Sequence, residues 1–315
     1  MDLARPAPRT DATLAGVLSG MGAGALWGLV FLAPELARGF GPLQLTIGRY
    51  LCYGAIAAVL VAPRLVRLRA LLTPRAWLSL AWLGLVGNTM YYVLLSAAVQ
   101  SGGVAMTSLV IGFLPVAVTI IGSRDRDAVP LRHLAPSLLL CAGGAVCIGW
   151  QALASPASGT ASTPVAGLAC AIGALVSWTA FAIGNARCLA RMPAVTVHEW
   201  NLLIGLATGA QGLALLPLSL VLDDWSRPAQ QWLTFAGVSV GVALFASILG
   251  NALWNRMSRL LPLTLVGQMI LFETLFALFY GFAWERRLPT VLELAAFALV
   301  VASVASCVSA HRKRG

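Results

Sequence analysis

Ten long apolar runs follow one another along the 315-residue chain, and few charged side chains interrupt them. A helix needs roughly 20 apolar residues to cross a lipid core of about 30 Å, and each run is about that long. Hydrophobic residues make up 59% of the chain and charged residues only 10%, against roughly 25% charged in a typical soluble domain. The pattern predicts an all-α polytopic membrane protein, and it excludes a soluble enzyme, a soluble nucleic-acid binder and a disordered scaffold. The ten predicted transmembrane helices cover about residues 13–34, 42–63, 75–99, 103–123, 132–151, 164–187, 196–222, 230–255, 261–283 and 289–310.

The basic residues are distributed unevenly between the two sets of connecting loops. If both termini are placed in the cytoplasm, the termini and the loops on that side carry 16 of the 21 Lys and Arg residues, and the opposite loops carry 4. The remaining one, Arg49, lies inside a span. An excess of Lys and Arg on the cytoplasmic side is the usual orientation signal of membrane proteins. The net charge of +10 therefore reflects topology rather than nucleic-acid binding, and we expect a multi-pass protein of the cell (inner) membrane with both termini in the cytoplasm.

The two halves of the chain resemble each other in sequence. Trp27 matches Trp178 at a separation of 151 residues, and a Gly-Asn pair recurs at Asn88 and Asn251. An uncharged polar stretch, typical of a flexible linker, separates the halves. Because each half holds five spans, the second enters the membrane from the opposite side, which is the inverted-repeat architecture of many secondary transporters. We predict a first five-helix repeat at 1–150, a linker at 151–163 and a second five-helix repeat at 164–315.

Several motifs resemble the EamA-type branch of the drug/metabolite transporter superfamily. These are the run Gly24–Trp27 in the first span, Pro42 followed seven residues later by Arg49 in the second, and Trp284–Pro289 in the second half. The resemblance covers nearly the whole chain and implies two inverted five-helix halves. Within that branch the chain looks most like the YddG-like exporters of aromatic and other amino acids. The positions of this closer resemblance are Trp27, Tyr91, Pro115, Trp178 and the pair Trp254-Asn255.

Polar and aromatic residues within the predicted spans are the candidates for a substrate site, because such residues face protein, water or ligand rather than lipid. Asn88, Tyr91 and Tyr92 share one face of the third span, and Trp254 and Asn255 share the equivalent face of the eighth. Amide groups can bind a carboxylate or an ammonium group, and aromatic rings can stack on apolar side chains. The alternative is interhelical hydrogen bonding without a ligand. Further candidate substrate-binding residues are Trp27, Thr107, Ile111, Leu114, Trp178, Asn185 and Gln268.

Two charged residues lie clearly inside predicted spans, Arg49 in the second and Glu273 in the ninth. An intramembrane charge is costly and indicates a functional site by default. Arg49 can alternatively snorkel or cap helix-end carbonyl groups. Glu273 can be a protonated structural residue, a partner for a substrate ammonium group or a proton carrier. Pro115 removes a backbone hydrogen bond to the carbonyl of Ile111, so we predict a kink in the fourth span, as a mechanical hinge or for packing alone.

The leading functional hypothesis is a secondary exporter of amino acids or similar small amphipathic metabolites that works by alternating access. One fixed cation in the membrane is too few for a multiply anionic substrate, and the sequence has no Walker-type phosphate loop for ATP hydrolysis. A multidrug exporter of cationic compounds is the alternative within the same superfamily. A channel or a membrane-embedded enzyme is a remote alternative, since no filter loop and no catalytic or metal-binding motif stands out.

We therefore expect no catalytic residue, no metal and no cofactor. The expected partners are a small-molecule substrate and the lipid bilayer, with no nucleic acid. A monomer fits this expectation, and the sequence leaves the exact substrate, proton coupling, direction of net transport and oligomeric state open.

Overall fold

The computed structural model describes residues 10–122, 131–154, 164–260 and 263–312, and every regular element in these ranges is helical. Helices satisfy their backbone hydrogen bonds internally, as a lipid environment requires. The α-helices are α1 (Thr10–Leu36), α2 (Pro42–Val61), α3 (Leu65–Leu71), α4 (Pro74–Gly84), α5 (Met90–Ile111), α6 (Leu114–Gly122), α7 (Leu131–Ala154), α8 (Pro164–Ala190), α9 (Val197–Leu222), α10 (Ala229–Val242), α11 (Asn251–Leu260), α12 (Leu263–Glu285) and α13 (Val291–Arg312). A 3-10 turn at Ala62–Arg64 joins α2 to α3, and π-helical segments at Leu85–Thr89 and Ala243–Gly250 join α4 to α5 and α10 to α11.

Six stretches in the described ranges are long and apolar enough to cross a membrane. Two shorter helical stretches, Ala135–Ile148 and Val291–Ser306, are also apolar. The predicted all-α polytopic membrane fold is therefore confirmed, whereas the count of ten spans and the inverted repeat stay predictions. The six stretches are Leu14–Leu36, Pro42–Leu71, Pro74–Ile111, Pro164–Leu189, Val197–Leu222 and Ala229–Ser258.

The stretch Pro74–Ile111 is 38 residues long, nearly twice what one membrane crossing needs, and its helix is kinked at Gly103. The backbone of Gly103 has φ 82° and ψ 165°, a conformation that residues with a Cβ atom rarely adopt. The predicted boundary between the third and fourth spans falls at this residue. A second interruption separates α5 from α6 at Gly112 and Phe113. Pro115 thereby falls in the first turn of α6, where a missing backbone N–H breaks no helical hydrogen bond.

Glycine residues bring pairs of helices into close contact. α1 packs along α12, where a methyl group on Gly24 would lie 2.6 Å from the Cβ of Phe272. α2 packs along α9, where a methyl group on Gly54 would lie 2.6 Å from the Cα of Gly209. The other long contacts are those of α5 with α8 and of α7 with α13. Small residues at such crossings let the backbones approach closely, and this close packing favours helix association in a membrane.

The two π-helical segments are docking points for neighbouring helices. Trp27 on α1 donates its Nε1–H to the carbonyl of Ala246, in the second segment, at 3.1 Å. Ser177 on α8 donates its hydroxyl hydrogen to the carbonyl of Val86, in the first segment. A π-helical turn shifts the backbone hydrogen bonds by one residue, and such turns are frequent at functional sites. The repeated Gly-Asn pairs of the sequence lie within the first segment and at the end of the second.

One end of the bundle is basic, and an ion pair there joins the two halves of the chain. Arg67 donates a hydrogen bond to Glu199, which is 4% exposed and accepts a second bond from the backbone N–H of Thr196 at 3.0 Å. Thr196 and Glu199 form the capping box at the start of α9. We call this the basic end, because Arg64, Arg67 and Arg69 lie in the connection from α2 to α4 and Arg75 lies in the first turn of α4.

The opposite end holds a smaller ionic cluster beside a cavity. Arg287 donates to Glu285 and, at 2.6 and 2.7 Å, to both carboxylate oxygens of Glu293. The bond to Glu293, followed by the one to Glu285, raises the pKa of Arg287 above its usual range, so the charge persists. A cavity of about 230 Å³ adjoins these residues and is also lined by Gly103 and Met106.

Candidate functional site

Arg49 is a charged side chain buried within the helix bundle. It lies on α2 and is 8% exposed, and its guanidinium carbon lies 4.4 Å from the ring centre of Tyr92 and 5.2 Å from that of Tyr50. Its Nη2 donates to the hydroxyl of Ser247, in the second π-helical segment, at a long 3.4 Å. The Nε and Nη1 atoms have no hydrogen-bond partner in the described part of the chain. Two of the three guanidinium nitrogens therefore keep unused donors.

The surroundings of Arg49 compensate its charge only in part. Burying an unpaired ion costs several kcal/mol, and cation–π contacts return about 2 kcal/mol when they are desolvated. No carboxylate forms an ion pair with Arg49 among the described residues. Tyr50, which is 1% exposed, also has a hydroxyl group without a hydrogen-bond partner there. Unused N–H and O–H donors around a buried cation are chemically suited to an anionic oxygen.

Glu273 on α12 is the second intramembrane charge, and it faces the same interior region. It is half-buried and close enough to interact electrostatically with Arg49 and with Tyr91. It takes part in no ion pair with another described residue. The two charges predicted from the sequence are therefore neighbours that do not neutralise each other by direct contact. Within the described ranges, no three His, Cys, Asp or Glu residues lie together to hold a metal ion.

Two aromatic pairs flank this charged region, and each joins a helix of one half to a helix of the other. Trp27 of α1 and Trp254 of α11 have ring centres 5.0 Å apart. Tyr91 of α5 and Trp178 of α8 have ring centres 6.4 Å apart. In the first pair, Trp27 donates its hydrogen bond to Ala246, which is next in the chain to Ser247, the serine that contacts Arg49. In the second pair, Tyr91 is next in the chain to Tyr92, whose ring faces Arg49.

The structure brings most of the predicted aromatic and charged residues together in this one region. Ile111 belongs to the same buried cluster as the tyrosines of α5. These aromatic and charged residues lie on α1, α2, α5, α8, α11 and α12, and these helices surround a polar interior. The predicted residues that lie in or against it are Trp27, Arg49, Tyr91, Tyr92, Ile111, Trp178, Trp254 and Glu273.

The other predicted residues have different surroundings. Asn185 accepts a hydrogen bond from Trp200 Nε1 at 2.6 Å, so its amide joins α8 to α9 as in the interhelical alternative. Thr107 is fully buried and donates to the carbonyl of Gly103 at 2.9 Å, beside the kink in α5. The remaining ones are the half-buried Asn88 and Asn255, the buried Leu114, Pro115 in α6, and Gln268, whose side chain lies outside the described part of the structure.

Sequence reasoning missed two residues that contact Arg49. Tyr50 is its chain neighbour, and a tyrosine in the middle of a span is a signal that the sequence offers. Ser247 has no such signal, because small polar residues are common in this chain. Its contact depends on the π-helical segment that presents it to α2.

Comparison with known proteins agrees with this architecture. The model of the EamA-like transporter family matches residues 14–148 and again residues 165–308. The inner membrane protein YtfF of Escherichia coli (strain K12) is 32% identical over 320 residues, which cover 96% of this chain and 97% of that protein. A solved crystal structure with 21% sequence identity aligns over 95% of this chain and 98% of its own, with a TM-score of 0.57, and thus has the same fold.

An apolar helical bundle with polar and ionisable residues in its interior is typical of a multi-pass membrane protein with a functional site inside the bundle. The chain belongs to the EamA-like transporter family, within the drug/metabolite transporter superfamily.

Proposed function

We propose that the protein is an inner-membrane secondary transporter that exports amino acids with aromatic or neutral side chains, or similar small metabolites, by alternating access without ATP hydrolysis. Ten membrane-spanning helices form two inverted five-helix repeats, 1–150 and 164–315, joined by the linker 151–163, with both termini in the cytoplasm. The observation that carries this proposal is the convergence of the two ionisable residues Arg49 and Glu273, which form no ion pair with each other, with aromatic side chains from both halves in one buried region.

The pattern of helix pairing supports the inverted repeat. If the two halves are exchanged, the contacts of α1 with α11 and α12 become the contacts of α8 with α5 and α6. The same exchange maps the pairs α2–α9 and α7–α13 onto themselves. A twofold relation between the halves predicts this pattern. The separate matches of the family model to the two halves support the same division.

Contacts between the halves at both ends support alternating access. Arg67 of the first half is paired with Glu199 of the second at the basic end. At the opposite end, Gln44 Nε2 of the first half donates to the carbonyl of Asp224 of the second at 3.1 Å. Arg49 between these ends is 8% exposed, so a substrate reaches it only when one end opens. Opening one end while the other stays closed is the central step of such a mechanism.

The chemistry of the interior favours a small amphipathic substrate. Arg49 supplies a cation and Glu273 a nearby carboxyl group, which, when ionised, match the carboxylate and ammonium groups of a zwitterion. The tryptophan pair and the Tyr91–Trp178 pair supply apolar surface for a side chain. A multiply charged anion would need several cations in the same place.

Transport by purified protein in proteoliposomes tests this function. We expect saturable uptake and counterflow for at least one member of a panel of labelled amino acids. Trp254→Ala should reduce this flux, whereas Trp82→Ala, at an exposed position, should leave it unchanged. The proposal fails if no amino acid in the panel is transported, and flux of cationic drugs instead would favour a multidrug exporter.

Epitope tags test the proposed topology. One tag is placed next to Arg69, in the α2–α4 connection, and another in the linker 151–163. We expect the first to be reachable only from the cytoplasm and the second only from the other side. Access to both tags from the same compartment would rule out the inverted arrangement.

A further inference from the structure

We infer that Arg49 is the carboxylate-binding residue of this transporter, so a substrate must carry a carboxylate group whether or not it carries an ammonium group. This inference rests on the proposed function, because it assigns a substrate class to the same interior site.

The ordinary structural roles of an intramembrane arginine do not account for Arg49. A snorkelling side chain has its charged group at the membrane surface, whereas Arg49 is 8% exposed within the bundle. An arginine that caps a helix end bonds carbonyl groups, whereas the partners of Arg49 among the described residues are the hydroxyl of Ser247 and the side chain of Tyr92. A permanent salt bridge would need an acid in contact, and no described residue supplies one, Glu273 included.

The donors left unused around Arg49 match a carboxylate. Nε and Nη1 of the guanidinium are free in the described structure, and so is the hydroxyl of the adjacent Tyr50. A carboxylate has two oxygens and accepts from an arginine in a planar, charge-assisted arrangement. Such a ligand would bind one edge of the guanidinium, Nε–Nη2 or Nη1–Nη2, and so use one of the two free nitrogens. It could also accept from the hydroxyl of Tyr50, and it would neutralise the buried charge. An amine without a carboxylate would leave the donors unpaired and bring a second positive charge beside the first.

Three ligands that share one aromatic ring separate these requirements. L-Phenylalanine carries both charged groups, 3-phenylpropionate only the carboxylate and phenethylamine only the ammonium. Their binding to the purified full-length protein is measured as the ligand-induced rise in melting temperature, which needs neither transport nor a variant. We expect L-phenylalanine and 3-phenylpropionate to stabilise the protein. Phenethylamine should bind about 10- to 100-fold more weakly, as expected for the loss of hydrogen bonds to a buried charged group.

Variants then assign the effect to Arg49. Arg49→Lys keeps the charge but lacks the planar set of donors, so we expect both carboxylate ligands to bind about tenfold more weakly or worse. Arg286→Lys, at an exposed position of the opposite end, should bind them as the unmodified protein does. Tyr50→Phe removes one free donor and should weaken binding several-fold, which keeps a test available if Arg49→Lys does not fold.

The outcomes separate this inference from the proposed function. Stabilisation by phenethylamine but not by 3-phenylpropionate would overturn the inference, and so would no stabilisation by either carboxylate ligand or equal binding to Arg49→Lys. Carboxylate binding that depends on Arg49, without any flux in proteoliposomes, would uphold the inference and contradict the proposed amino-acid export.

Discussion

Replacing Gly54 with alanine should loosen the contact between α2 and α9. At this crossing a methyl group on Gly54 would lie 2.6 Å from the Cα of Gly209 and 3.3 Å from the carbonyl oxygen of Gly205. Both are backbone atoms, so no change of side-chain rotamer relieves the overlap. Ordinary van der Waals contact begins at 3.4 Å, so the helices must separate by about 0.8 Å, the difference between that distance and the shorter contact.

The expected loss of stability follows from two opposing terms. Overpacking of a tight contact costs about 1–3 kcal/mol. Alanine recovers about 0.5–1 kcal/mol relative to glycine inside a helix. The net loss therefore lies between about 0 and 2.5 kcal/mol, with a central value of about 1 kcal/mol. At roughly 2–4 °C per kcal/mol, the scale for chains of 150–250 residues, the melting temperature should fall by a few degrees.

Gly237→Ala is the matched control, because a methyl group added at Gly237 on α10 would meet no atom within 4 Å. It should keep or raise the melting temperature. Both variants and the unmodified protein are purified in the same detergent and melted while tryptophan fluorescence is recorded. If Gly54→Ala and Gly237→Ala melt at the same temperature, the close backbone contact between α2 and α9 is not what stabilises the bundle.

Three further substitutions test individual polar contacts by the same melting measurement. Arg67→Gln should lower the melting temperature more than Arg69→Gln, because only Arg67 is hydrogen-bonded to the buried glutamate at the start of α9; equal losses would speak against this ion pair. Arg287→Gln should cost more than Arg286→Gln, since Arg287 bonds two carboxylates and Arg286 is exposed; an inert Arg287→Gln would contradict the ionic cluster. Trp27→Phe should cost about 1 kcal/mol by removing a hydrogen bond to the second π-helical segment, and no change would mean that this bond contributes little.

The helical framework could be predicted in detail where the sequence marks helix ends. The predicted spans begin at Pro42 and Pro164, and α2 and α8 begin at the same residues, because proline suits the first position of a helix. The break near Gly103 could be predicted because the apolar run there is too long for one crossing. The π-helical segments could not, since their residues are ordinary apolar ones and the extra residue per turn depends on packing against neighbouring helices.

The candidate site could be predicted in its residue types more than in its contacts. Tyr91 and Trp178 were identifiable as aromatic residues deep in apolar spans, and they do lie together. Asn185 was placed with them by the same reasoning, but it bonds Trp200 because that face of α8 meets α9. Sequence spacing defines which residues share a helix face, but it does not tell which neighbour that face meets. The free donors of Arg49 depend on such tertiary contacts and were beyond sequence reasoning.

A π-helical turn adds one residue to a helix, so the side chains beyond it are rotated by about 100° from where a regular helix would aim them. In the first half, Tyr91 and Tyr92 stand immediately after such a turn at Leu85–Thr89. Deleting one residue within that turn would let the helix become regular and turn the ring of Tyr92 away from Arg49 and the ring of Tyr91 away from Trp178. The directions of the Tyr91 and Tyr92 side chains thus depend on one extra residue in the π-helical turn. Removing that residue would reorient both side chains without unfolding the helix.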